Sequence, residues 1–153
     1  KNMDKLKKIL NFVTTLDNAK LLDENYNDPS ITNFIEKANT QDQLFQGVDA
    51  TGIDLESIGG DYTPFTKAYK KRKGQPTNRV TLKDSGNFYR SIQAKGIGNG
   101  DVEITGNTIK KGIDLQSRWG VNLIGLTKIK TNELAIKIKD NIIKKVRKGI
   151  GLW

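Results

Sequence analysis

Asp101 and Glu103 alternate with Val102 and Ile104, and Lys110 and Lys111 follow shortly after. Two carboxylates on the polar face of a strand, with lysines beside them, are raw material for a metal-dependent nuclease, but that chemistry works only where acids converge on a metal. A second group, Asp49, Asp54, Glu56 and Asp61, sits at loose spacing in a glycine-rich stretch. The calcium-loop order with its closing glutamate is absent there, so these read as solvated loop acids. The sequence holds no histidine and no cysteine. That removes the commonest general base, thiol nucleophiles, disulfides and the ligands of ordinary zinc and iron–sulfur sites. No catalytic residue, metal or cofactor is assigned, and the chain reads as something other than an enzyme. The glycines of Gly96-Ile97-Gly98-Asn99-Gly100 resemble a phosphate-cradling loop only superficially, because no helix start follows them; they read as a hairpin turn.

Binding chemistry is better represented. Lys67, Lys70, Lys71, Arg72 and Lys73 form a basic run interleaved with Tyr69. Such a run can grip phosphates with one aromatic ring for stacking, or meet an acidic protein surface. On a helix these side chains spread around most of the circumference, so a solvated helix is the plain alternative. Residues 1–66 carry 6 basic and 11 acidic side chains, net −5, whereas residues 67–153 carry 20 and 6, net +14. A split of this size points to a partner: nucleic acid on the basic half, or a second copy placed head to tail.

The elements that must position these groups follow from apolar period and punctuation. Leu6, Ile9, Leu10, Val13 and Leu16 mark an amphipathic helix that extends towards Leu21 and Leu22 and stops in the Asn/Asp/Pro-rich stretch before Pro29. Asp28 and Pro29 open a second helix with Ile31, Phe34, Ile35 and Ala38 on one face. Thr40 and Gln43 fit a capping box for a third, short helix carrying Leu44 and Phe45. Residues 47–60 read as an open loop. Thr63-Pro64 restarts helix, with Phe65, Ala68 and Tyr69 on one face and Gly74 as its stop, and residues 74–79 form another loop. Phe88 and Ile92 suggest a helical turn. Ile92, Ala94, Val102 and Ile104 then alternate with polar residues as a hairpin does. Leu134, Ile138, Ile142, Val146 and Ile150, reinforced by Ala135 and Ile143, define a long C-terminal helix that covers a small sheet.

The chain has 153 residues, of which 41 are Leu, Ile, Val or Phe. That suffices for one modest core, above the roughly 20% typical of disordered chains. No apolar run reaches the roughly 18 to 20 residues of a membrane-spanning helix, and no secretory leader pattern follows the charged start. The first residue is not Met, which leaves room for residues in front. A soluble chain in a reducing, intracellular compartment, without a membrane partner, is the expectation. The fold class is α+β: a small antiparallel β-sheet around residues 80–106, packed by the long C-terminal amphipathic helix, with N-terminal helices. Residues 1–46 form the helical segment and 47–153 the α+β part, one structural unit overall.

Four segments, in order, resemble one family. They are Gly52 with Tyr62-Thr63-Pro64-Phe65-Thr66-Lys67; Leu82-Lys83-Asp84-Ser85-Gly86-Asn87-Phe88-Tyr89-Arg90-Ser91-Ile92; Asp101-Val102-Glu103-Ile104-Thr105-Gly106; and Trp119-Gly120 with Leu123-Ile124-Gly125-Leu126-Thr127 ahead of the last helix. In that order and spacing the chain resembles the phage virion-morphogenesis or tail-completion proteins, over residues 44–150. The resemblance implies a structural virion protein of a tailed bacteriophage: a ring-forming connector at the neck, assembled in the host cytoplasm. Its neighbours would be other copies and other neck, portal or tail proteins, with non-specific contact with packaged DNA. On this reading Tyr62, Phe65, Phe88, Ile92, Trp119 and Leu126 are core or interface anchors, and Lys67, Lys70, Lys71, Arg72 and Lys73 face the partner. A basic nucleic-acid-binding module is the other reading.

Overall fold

The computed structural model describes residues 7, 9–11 and 14–151. Leu6 and Val13, two members of the first expected apolar stripe, lie outside them. The expected continuation into Leu21 and Leu22 is interrupted, because Leu16 and Asp17 leave the helical path. Asp17 caps a new helix, α1 (Asn18–Tyr26), by accepting from the Lys20 amide at 3.1 Å. Asp28 does the same for α2 (Pro29–Lys37), accepting from Ser30 N at 2.8 Å with Pro29 in the first turn. Ile31 and Ile35 on its inner face are fully buried.

No capping box forms at Thr40. The chain continues beyond α2 as a wide π-type turn (Ala38–Gln43) and a 3₁₀ turn (Leu44–Gln46), and stops only at Gly47, where φ is +86°. Thr40 Oγ1 donates back to Glu36 O at 2.8 Å, a mid-helix habit of threonine. Gln43 is turned away from its own helix altogether. Its Nε2 donates to Gly125 O and its Oε1 accepts from Thr127 N, both at 2.9 Å, while Asn39 Oδ1 accepts from Gly125 N at 2.9 Å. These buried amides act as surrogate backbone for a segment that has no ladder partner.

Residues 47–60 are more ordered than an open loop. Asp49 is 2% exposed, and its carboxylate accepts from Thr51 N, Thr51 Oγ1 and Ile53 N at 2.8, 2.6 and 3.0 Å. That local turn brings Asp54 opposite Val48 and launches a short helix, α3 (Leu55–Gly59). Asp49 is thus a structural acid, not a solvated one. Thr63 accepts from Thr66 N and opens α4 (Pro64–Arg72), and Gly74 follows its end with φ +63°.

The sheet starts later than the sequence suggests. Residues 80–83 pair with no strand, and the helix α5 (Asn87–Ser91) precedes the ladder. β1 (Gln93–Gly98) then pairs antiparallel with β2 (Asp101–Thr105), placing Ala94 opposite Ile104 and Gly96 opposite Val102. Asn99 and Gly100, with φ of +58° and +79°, make the tight turn that the right-handed twist of a hairpin prefers. A second hairpin joins β3 (Ile109–Lys110) to β4 (Ile113–Asp114), followed by α6 (Leu115–Trp119) and a 3₁₀ turn (Val121–Leu123). Thr127 caps the long α7 (Lys128–Gly149).

The architecture is α+β, with a small antiparallel hairpin, N-terminal helices and a long C-terminal helix. Ile31 and Ile35 of α2 and Leu134 and Ile138 of α7 pack with Ala94, Val102 and Ile104 from the hairpin's inner face. A second cluster joins Leu44, Leu55, Val80, Leu82, Phe88 and Trp119 with their neighbours. Residues 1–46 contribute to both clusters, so the N-terminal helices are part of the packing rather than an appendage. Ile129 and Ile136, one heptad apart on the side of α7 opposite Leu134 and Ile138, face outward. Among the described residues no helix is long and apolar enough to cross a membrane.

Truncating the inner face of α2 in Ile35→Ala should lower stability by about 2–5 kcal/mol. Phe65→Ala, at a side chain 77% exposed, should stay within about 0.5 kcal/mol of the parent. Urea unfolding of both variants checks the contrast.

Candidate functional site: a cation-rimmed groove

The inner face of α4 carries a lysine where a core residue would be expected. Lys70 is 4% exposed, and its ammonium donates to Lys83 O, Gln75 Oε1 and Thr81 Oγ1 at 2.5, 3.1 and 3.3 Å. Three N–H donors thus find three acceptors, and the charge also lies 4.8 Å from the centre of the Tyr62 ring. Burial, with Lys110, Lys73 and Lys83 nearby, pushes the Lys70 pKa down to about 8, against the pull of Asp84. Tyr62 Oη accepts from the consecutive amides of Thr81 and Leu82 at 3.0 and 2.9 Å, and Tyr89 Oη donates to Thr81 O at 2.6 Å. Leu82 is held at φ +54°, a region bulky residues avoid. Residues 81–83 are therefore held in place by Tyr62, Lys70 and Tyr89, and Leu82, Lys83 and Asp84 form one wall of a groove.

The opposite wall is the β3–β4 hairpin with α6. Its turn, Lys111-Gly112, has φ of +50° and +78°. A lysine thus occupies the position where Asn or Asp is usual, and its cation sits at the tip. The groove has a volume of about 310 Å³. Leu82, Ile113, Leu115 and Trp119 line it with apolar surface, while Lys110, Lys111 and Arg118 bring cations beside it; the Lys83 ammonium lies instead over the rings of Phe45 and Tyr89, 5.3 and 5.8 Å from their centres. Asp84 is the one acid in that lining, and it is already engaged, 2.8 Å from Lys73 and 3.7 Å from Lys110. The hydrogen bond from Lys73 holds its carboxyl below the usual carboxylate range. The aromatic faces are engaged too: Lys73 lies 4.5 Å from the Tyr69 ring centre and the Arg118 guanidinium 4.5 Å from that of Trp119. Arg118 Nε donates to Gly59 O at 2.7 Å. Gly59 lies so close to the indole that a Cβ there would stand 2.4 Å from Trp119 Cδ1, so only glycine fits.

The basic run read from the sequence does not form one surface. Lys67 is paired with Asp61, Lys73 with Asp84, and Lys70 is buried. Lys71 and Arg72 remain exposed, with no ion-pair partner among the described residues. The cause is geometric: successive residues of a helix point about 100° apart, so the run spreads around the circumference, and one of its faces must go inward. Of the expected anchors, Phe88, Ile92 and Trp119 are in the first core cluster and half-buried Tyr62 packs against it. Leu126 packs against the second, and Phe65 is not a core residue. Asp101 and Glu103 stay on the exposed face of β2, and Lys110 turns to Asp84 instead. No group of three acids suited to hold a metal ion occurs among the described residues. The groove's far wall was missed as a site; its signal in the sequence is the pair Lys110-Lys111 ahead of a glycine and between isoleucines, a hairpin tip with no acid in it. Comparison with family models, with curated proteins and with solved structures finds no match to this chain.

The folded chain binds the Lys70 proton less tightly than the unfolded chain, whose lysine keeps a pKa of 10.5. Lys70 therefore weakens the fold below about pH 8, and that deficit is relieved as pH rises from about 8 to 10.5. Lys70→Met should remove this component. The stability of the parent relative to the variant should rise between pH 7.5 and 10 in urea melts, and a difference independent of pH would refute the assignment.

Proposed function

We propose that this chain is a structural subunit of a tailed-bacteriophage particle, one protomer of a ring that joins or completes the neck between capsid and tail. What supports the reading is that the segments carrying the resemblance, distant in sequence, meet in the fold. Tyr62 of the first holds the Leu82 amide of the second. Leu82, Phe88 and Ile92 of the second share a core with Trp119 and Leu123 of the fourth, and Ile104 of the third packs against it. Four buried polar side chains point the same way: Asn39, Gln43, Asp49 and Lys70 are all engaged in holding backbone or neighbouring side chains. A passive subunit needs surfaces, not proton transfer. Its partners are other copies and other neck, portal or tail proteins, and it needs no cofactor.

The cations beside the groove favour one other reading, a basic nucleic-acid-binding module. Salt separates the two, because phosphate contacts release counterions and weaken steeply as salt rises. The connector reading expects weak binding of duplex DNA at about 150 mM salt and, by electron microscopy of particles, a location on the tail axis at the vertex where the genome leaves. Tight DNA binding by the isolated chain with a steep salt slope, or a location elsewhere in the particle, would overturn it.

A further inference from the structure

We propose that the groove is one half of a contact between two copies of this chain, and that the other half is the exposed segment bearing Ile53, Asp54, Glu56 and Ile58. The inference rests on the assembling role proposed above and names the surfaces that carry it.

The groove's chemistry selects the kind of occupant. Its apolar lining includes Ile113, 61% exposed with nothing over it. Beside it stand Lys110, Lys111 and Arg118, with Asp84 already paired to Lys73. A nucleic-acid base would need an aromatic face to stack on, yet Tyr62, Tyr69 and Trp119 each have a cation of this chain over the ring. What fits is a short stretch of protein that brings carboxylates to the cations and aliphatic groups to the apolar lining.

The chain carries such a stretch. Ile53, Asp54, Glu56 and Ile58 are all exposed. The carboxylates of Asp54 and Glu56 have no hydrogen-bond or ion-pair partner among the described residues; Asp54 stands ahead of α3 without a side-chain capping bond. The segment is also preformed. Asp49 fixes the turn before it, Asp54 bridges to Val48, and Leu55 N donates to Gly47 O at 2.7 Å, so docking it orders little that was loose. Among the described residues, none from 53–60 lines the groove of its own chain. Gly59 is pressed against the indole of Trp119, which also lines the groove, and Arg118 is tied to Gly59 O. The segment is thereby fixed beside the groove of its own chain without entering it, and the contact proposed is one between molecules.

Charge reversal on each half tests the contact. Sedimentation velocity at about 150 mM salt reads association of the full chain. Asp54→Lys with Glu56→Lys, and separately Lys110→Glu with Lys111→Glu, should each weaken self-association by about tenfold or more, because like charges then oppose across the contact. All of these residues are at the surface, so far-ultraviolet circular dichroism should be unchanged. The variant carrying all four reversals should regain association, a result that loss of folding cannot mimic. Association unaffected by the reversals, no association of the parent, or no recovery in the fourfold variant would overturn the contact. So would a single-stranded oligonucleotide bound by the parent and lost only with the lysine reversals, which would make the groove a nucleic-acid site. Particle location is read separately: a neck position with neutral reversals removes this contact and leaves the connector role, and the converse result leaves the contact alone.

Discussion

An ammonium group taken out of water must be surrounded by acceptors, and a large part of this molecule is arranged to supply them to Lys70. Leaving such a charge unpaired in the interior would cost several kcal/mol, more than most single contacts return. The acceptors come from Gln75, Thr81 and Lys83, so the chain after α4 has to double back along it. Residues 80–84 have no strand partner, and their backbone groups are satisfied instead by the hydroxyls of Tyr62 and Tyr89. One buried cation and two tyrosines thus do locally what a β-ladder would do. They also fix the height of one wall of the groove, since Leu82 and Lys83 line it from the same segment.

A parallel device holds the other end of the chain. Asn39 and Gln43 present amide groups to Gly125 and Thr127, just before α7 begins. Side-chain amides carry the same donor and acceptor pair as a peptide group, so they can close a backbone segment that passes alone through the interior. The result ties the exit of the N-terminal helices to the entry of the C-terminal one, and with it the apolar face formed by Ile31, Ile35, Leu134 and Ile138.

Much of this was legible where signals are local. The caps Asp28 and Thr63, the hairpin at Asn99-Gly100 and the stripe of Leu134 and Ile138 each follow from a few adjacent residues. What failed was decided by partners that residue type and spacing do not show. Thr40 and Gln43 match a capping box, but Gln43 has partners more than eighty positions away that a local pattern cannot reveal. Asp49 resembles any loop acid until its own turn folds around it. Lys70 is indistinguishable by type from Lys71 and Lys73. Only the acceptors waiting at 75, 81 and 83 make its face the inner one. Phe65 fails in the opposite direction: an aromatic in the first turn of a helix finds no neighbour to bury it, because the inner face of that turn is taken by polar groups.

The charge distribution changes meaning once the chain is folded. By sequence the acidic and basic halves look like two poles, which suggests a long-range dipole. In the fold some opposite charges meet across that divide and within each half: Lys67 meets Asp61, Lys130 meets Asp42 and Glu133, and Lys145 meets Glu24. Exposed pairs of this kind stabilise little, and their effect is subtractive, cancelling charge where they form. What survives includes Lys71 and Arg72 on α4, cations on a groove whose acid is engaged, and two carboxylates on a neighbouring turn. The imbalance of a whole half-chain is therefore a poor guide to a partner. The charge left after each side chain has been matched to its neighbour is the better one, and part of it falls on both sides of Trp119.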